Sequence, residues 1–153
     1  MQVSQAKKMG LELMREHLNG RSIEGWSLKF DEAKRRFGVC RYRKKEISLS
    51  RPIVRLNSEA EARDVILHEI AHAIAGKKAG HGAKWKAVCV EIGAKPERCY
   101  DGEKVATPKA KYTAVCNGCL TEHKRHRRPN PRSSCGTCCA GVYNDKYILI
   151  WMN

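Results

Sequence analysis

Apolar positions recur along the chain with two rhythms, one helical and one of strands. Between residues 4 and 18, Ala6, Met9, Leu13 and Met14 fall at helical spacing with Lys and Glu elsewhere, which predicts an amphipathic helix. "WSLKF" and "KEISLS" then alternate apolar and polar residues as half-buried strands do. The "KRRFG" between them carries the charge and glycine of a turn, so a small antiparallel sheet is expected from about residue 26 to 56. Helical periodicity follows over a longer stretch. Asn57 or Ser58 can cap it, Ser58 with Glu61 forms an S-x-x-E capping box, and Gly76 supplies a stop. Ile66, Ile70, Ala73 and Ile74 mark the face that packs into a core, while Val65, Glu69, His72 and Gly76 form another stripe with His68 beside it. Trp85, Val88, Cys89 and Ile92 predict a further helix ending near Gly93. The pattern loses its rhythm from about residue 94 to 111, where Pro96 and Pro108 lie, and a boundary near residue 105 divides the chain into 1–105 and 106–153. Beyond it, "KYTAV" and "YILIW" read as strands. The fold class is α+β.

Composition adds constraints. The 153 residues and 42% apolar content suit one modest domain with a small appendage and argue against general disorder. No apolar run approaches the roughly 20 residues needed to cross a bilayer. The N-terminal stretch mixes charges into its apolar positions and has no continuous apolar segment of a secretory signal. The expectation is a cytoplasmic protein, at the nucleoid or in a nucleus if the host has one. In that reducing compartment the eight cysteines are better read as metal clips than as disulfides. A net charge of +14 points to a polyanionic partner, with nucleic acid first, although basic charge also serves solubility.

The chemistry centres on "HEIAHAIAGKKAGHG", residues 68 to 82. His68 and His72, four apart on a helix, project from one face a turn apart and can both reach one cation. Glu69 lies beside them, close enough to serve water without being a ligand, which is the H-E-x-x-H arrangement of zinc metalloproteases. A catalytic zinc needs a third protein ligand, and His81 can return to the site on a loop loosened by Gly80 and Gly82. Three neutral imidazoles leave the ion its full charge. That charge favours ionising a bound water toward a pKa of about 7, with Glu69 as general base and later proton donor to the leaving amine.

"VILHEIAHAIAGKKAGHGAKWKAVCVEIG" resembles the SprT-like family of zinc metalloproteases, which includes the Spartan proteases acting on DNA–protein crosslinks. His68, Glu69, His72, Gly80, His81, Gly82 and Trp85 match its metal helix, its Gly-His-Gly loop and the aromatic that follows. "WSLKFDEAKRRFGVCRYRKKEISLS" resembles the family's approach to that helix. The resemblance implies a zincin-type metalloprotease domain in which His68, His72 and His81 bind zinc and Glu69 is the catalytic base. It also implies that DNA switches activity on, but no residue pattern in the chain displays a switch.

In the tail, Cys116 and Cys119 with Cys135 and Cys138 give C-x2-C-x15-C-x2-C, the spacing of a structural zinc site that leaves no open position. Cys139 could replace Cys138, though the two-residue spacer favours Cys138. The flanking strands make this a zinc ribbon, and bacterial SprT-like proteins often end in one. A zinc deaminase is disfavoured, since H-x-E with P-C-x-x-C is missing. Cys40, Cys89 and Cys99 read as small apolar fillers. Residues 104–153 carry nine Lys or Arg against two acidic residues. "HKRHRR" between the cysteine pairs, with Lys124, Arg125, Arg127 and Arg128, is the expected DNA-contacting tip, and Tyr112 or Tyr143 could stack on unpaired bases.

The chain is thus expected to bind two zinc ions, one catalytic and one structural, and to hydrolyse proteins held on DNA that is single-stranded or distorted, acting as a monomer with no membrane partner. The rivals are a nucleic-acid-binding zinc protein whose H-E-x-x-H site is idle or structural, and a general or self-processing protease.

Overall fold

The computed structural model describes residues 1–19, 21, 25–97 and 105–153 and divides into two units, Met1–Pro108 and Lys109–Asn153. Cys99 lies outside the described residues.

The first unit is built around one buried helix. Helices α1 (Val3–Leu18), α2 (Arg51–Leu56), α3 (Glu59–Ala75) and α4 (Ala83–Glu91) accompany strands β1 (Ser27–Asp31), β2 (Gly38–Arg41) and β3 (Glu46–Ser50). α3 begins at Ser58, whose Oγ accepts the Glu61 N–H while the Glu61 carboxylate accepts the Ser58 N–H, and it stops at Gly76 with φ of 84°. It packs against α1, α4 and β2, and Val65, Ile66, Leu67 and Ile70 are fully buried. Each such side chain contributes roughly 1.5–3 kcal/mol by leaving water. The opposing sheet supplies Ile47 and Leu49, also without exposure. α1 closes on that sheet at Gly10, where a Cβ would stand 2.6 Å from Leu28 Cδ2.

Two sequence expectations need correction here. The sheet is mixed, with strand order β1-β3-β2: β3 pairs antiparallel with β2 and parallel with β1. The chain reverses direction twice between β1 and β3, and the last strand inserts between the first two, so it must run parallel to the first. Residues 51–56 do not extend the sheet but form α2. Ser50 caps that helix, its Oγ accepting the Ile53 N–H at 3.2 Å, and Pro52 sits in its first turn.

The second unit is small. β4 (Tyr112–Val115) and β5 (Glu122–Arg125) pair antiparallel, and the core is Ala114, Cys116, Cys135 and Leu149, with Cys138, Tyr147 and Trp151 against it. "KYTAV" supplies β4, whereas "YILIW" makes one isolated bridge, Ser134 with Ile148, and Met152 just beyond it bridges Thr113. Its Tyr147 closes a short 3-10 turn, Asp145–Tyr147, which breaks the extended run. Of the basic run 123–128, expected at the tip, His123, Lys124 and Arg125 belong to β5. Among the described residues no helix is long and apolar enough to cross a membrane.

Candidate active site and metal centres

α3 carries His68 and His72 a turn apart, and the chain then folds back through a 3-10 turn, Lys77–Ala79, and Gly80. Gly80 has φ of +50°, a backbone shape that favours glycine, and it returns His81 to the helix. His81 Nε2 lies 3.1 Å from His72 Nε2 and 3.3 Å from His68 Nε2. A tetrahedral zinc with metal–nitrogen bonds of about 2.0–2.1 Å has ligand–ligand edges of about 3.3–3.4 Å. The three nitrogens therefore fit one ion.

Their surroundings favour the metal-binding form. Burial and the neighbouring His72 and His81 lower His68 to a pKa of about 4, and burial with His81 lowers His72 likewise. Both imidazoles are neutral at neutral pH, as metal ligation requires. Trp85, fully buried on α4, lies beneath all three rings: its centroid is 4.8 Å from that of His68, 5.2 Å from His72 and 4.7 Å from His81. The indole fixes the ring orientations by packing, the role that outer-shell groups play at metal sites.

Glu69 is 7% exposed. Burial pushes its carboxyl up, and the Cys40 N–H and the Arg36 charge pull it part of the way back, leaving it at about 7. A carboxyl poised there can both take and return a proton at neutral pH. Its position is set by β2. Gly38 packs against the Glu69 side chain, and the Cys40 N–H donates to its carboxylate. Cys40, expected only as a filler, is thus part of the site. Burial, the Glu69 charge and the Tyr42 hydroxyl act on its thiol, which is pushed up to about 12 and stays protonated.

The three histidines, Glu69, Cys40 and Tyr42 line a cleft of about 600 Å³. Arg36 forms part of its wall, held 2.6 Å from Asp31. The sequence alone did not point to Gly38, Cys40, Arg36 or Tyr42. They reach the site from β2 and the residues flanking it, some thirty residues upstream, through backbone approach and packing that leave no local motif.

In the second unit the Sγ atoms of Cys116, Cys119, Cys135 and Cys138 gather within 4.8 Å of one another. Cys116 and Cys138 are 3.6 Å apart, and Cys119 and Cys135 3.7 Å, against about 3.8 Å for the edges of a tetrahedral four-thiolate zinc. Cys138, not Cys139, completes the group; the Cys139 N–H instead donates to the Cys135 carbonyl at 3.0 Å. Lys124, Arg125, Arg127 and Arg128 are all exposed. Lys124 pairs with Glu122 at 2.8 Å, and the Arg125 guanidinium lies 5.7 Å from the Trp151 ring centroid. Tyr112, Arg128, Pro129, Pro131 and Trp151 line a hollow of about 370 Å³. Tyr143 is exposed, and its hydroxyl donates to Asp145 at 2.6 Å.

A family model described as SprT-like matches residues 6–107. The chain belongs to the SprT-like family. It is 26% identical over 133 residues to Protein SprT of Glaesserella parasuis serovar 5, covering 82% of this chain and 85% of that one. It is 30% identical over 96 residues to Protein SprT of Pasteurella multocida, covering 60% and 58%. Among solved structures it is similar to the metallopeptidase zymogen of Methanocaldococcus jannaschii, jannalysin, with a TM-score of 0.49 and 16% identity over 65% of this chain and 85% of that one. Family membership and the histidine helix with its buried glutamate together support a metalloprotease-type function.

Proposed function

We propose that the chain is a zinc metalloendopeptidase that cleaves proteins held on DNA, with one zinc in the His68, His72 and His81 site and a second, structural zinc in the four-cysteine site. The observation that carries the reading is a buried glutamate, poised near neutral pKa, beside three converging imidazoles in an open cleft. A zinc bound there supplies the positive charge that acidifies water and polarises a carbonyl.

The chain's own residues account for the rest. Glu69 accepts the proton of the attacking water and returns it to the leaving amine. β2 is the outer strand of its sheet, so among the described residues one row of its backbone groups has no strand neighbour, and Val39 and Cys40 line the cleft. An extended segment of substrate laid along that edge gains main-chain hydrogen bonds and enters the cleft without a requirement for one side chain. An idle or purely structural site has no use for a buried carboxyl facing an open cleft, and burying one costs stability.

The second unit supports the DNA part of the reading. Exposed Lys124, Arg125, Arg127 and Arg128 offer charge to phosphates. Beside them the hollow lined by Tyr112, Trp151 and two prolines offers flat apolar faces that suit an unpaired base more than a stacked one. Single-stranded or distorted DNA is the partner this favours. The test is to incubate the chain with a protein crosslinked to single-stranded DNA and with the same protein free. Cleavage restricted to, or strongly faster on, the crosslinked form supports the reading. Equal cleavage of both supports a general protease.

A further inference from the structure

We propose that Tyr42 is a catalytic residue whose phenolic O–H donates to the oxygen on which charge builds when a peptide carbonyl is attacked in the cleft. The assignment rests on the hydrolytic reading above and adds to it the group that stabilises the oxyanion.

Three histidines and Glu69 provide ligands and a base, but the attacked carbonyl oxygen also needs a donor. Apart from the ligands and Glu69, the side chains lining the cleft that can donate are Arg35, Arg36, Cys40, Tyr42 and Thr107. Arg36 is committed to Asp31 at 2.6 Å, and its Nη1 has no surface from which to reach a ligand. Arg35 and Thr107 are exposed, so water competes for their donors. A thiol such as Cys40 is a weak donor.

Tyr42 is different in three respects. It is half-buried and held edge-on to Trp26, with ring centroids 6.4 Å apart and planes at 82°. Its hydroxyl lies beside the Cys40 thiol and within the field of the Glu69 carboxylate. Burial, then Cys40 and then Glu69 hold the phenol up at about 12, so it keeps its proton throughout the working pH range. A preorganised neutral donor next to the general base is what stabilises an oxyanion most, because base and donor must both sit roughly 3 Å from the reacting atoms. Tyr42 also directly follows β2, so the phenol stands at the end of the strand along which substrate would lie.

The step balances without any further reactant. The water oxygen bonds to the carbonyl carbon, the π pair moves onto the carbonyl oxygen, and the water proton goes to Glu69. Tyr42 donates a hydrogen bond to that oxygen and keeps its proton. On collapse the carbon–nitrogen bond breaks and Glu69 protonates the amine.

The experiment compares the full zinc-loaded chain with Tyr42→Phe and Glu69→Gln on one DNA-bound protein substrate. Phe keeps the ring that meets Trp26, so zinc content, DNA affinity and unfolding midpoint should match the parent. The expected result is a fall in kcat of about 10²-fold with KM changed less than about twofold. A Tyr42→Phe chain with kcat within threefold of the parent overturns the assignment, as does a fall in kcat matched by missing zinc, or an effect confined to KM. A parent that cleaves nothing overturns the hydrolytic reading and the assignment with it, whereas an active parent with an equally active Tyr42→Phe chain overturns the assignment alone.

Discussion

Gly38 lies against the side chain of Glu69: a Cβ on the glycine would stand 2.9 Å from Glu69 Cγ and 2.9 Å from Glu69 Oε1. Val65 Cγ1, at 2.8 Å, blocks the other way out. Since Glu69 is on the buried metal helix, the added methyl can be relieved only by turning the carboxylate or lifting β2. Gly38→Ala should therefore cost about 1–3 kcal/mol by overpacking. It should also lower kcat by more than the stability loss explains, on the order of 10²-fold for a misplaced base. Thermal melting, zinc analysis and steady-state kinetics on the same preparation check this. Near-parental kcat in a folded Gly38→Ala chain would show that β2 does not position Glu69.

Acid should loosen the sheet through Asp31. Burial raises its carboxyl, but hydrogen bonds from Arg36, the Ala33 N–H and Ser48 outweigh this and bring it from the ordinary 3.8 down to about 2. A group depressed in the folded state stabilises fully above its unfolded pKa and loses that contribution as pH falls through the folded one. The Asp31 contribution is thus present above about pH 4 and disappears toward pH 2. Denaturant midpoints of the parent and Asp31→Asn should differ at pH 6 and converge by pH 2; a constant gap between them would remove Asp31 from the account.

Metal should leave the two sites at different rates. Three imidazoles leave an open coordination position that a chelator can enter, whereas four thiolates close the tetrahedron. Elemental analysis during dialysis against a chelator should show two zinc ions per chain at the start and one after activity is gone. The second should depart only as the small unit unfolds, since its core is too slight to stand without metal. A single slow loss of both ions would contradict this.

The basic edge of the second unit should read phosphate and little else. Replacing Arg125, Arg127 and Arg128 with Ala spares every cysteine. Each arginine that no longer meets a phosphate lowers the slope of log affinity against log salt by about 0.7 to 0.9, with little change in sequence preference. A salt titration of the triple variant that overlays the parent would place the DNA surface elsewhere, first on the basic segment at residues 34–45.

The legible parts of this molecule were those whose signal is local. α3 announces itself by its Ser58–Glu61 cap, its apolar face and Gly76, and the ligand spacings can be read off any helix and any pair of cysteine knuckles. What escaped was set by distant partners. The direction of β1 depends on β3 inserting beside it, which alternation within "WSLKF" cannot express. "YILIW" has the composition of a strand, yet the turn closed by Tyr147 takes its first residue and leaves it the isolated bridge at Ile148. Cys40 resembles a filler until its N–H is seen to meet Glu69, and Trp85 becomes a floor for three imidazoles only once α4 is in place.

The central claim is that Glu69 moves the proton in peptide hydrolysis and does not hold the metal, and Glu69→Gln tests it most directly. The substitution keeps the side chain's size and the hydrogen bond from the Cys40 N–H while removing its basicity. Mass spectrometry of a DNA-bound protein substrate should show peptide fragments with the parent and none with Glu69→Gln, while zinc content and DNA affinity stay equal. Fragments formed at the parental rate by Glu69→Gln, or loss of zinc from it, would contradict the assignment.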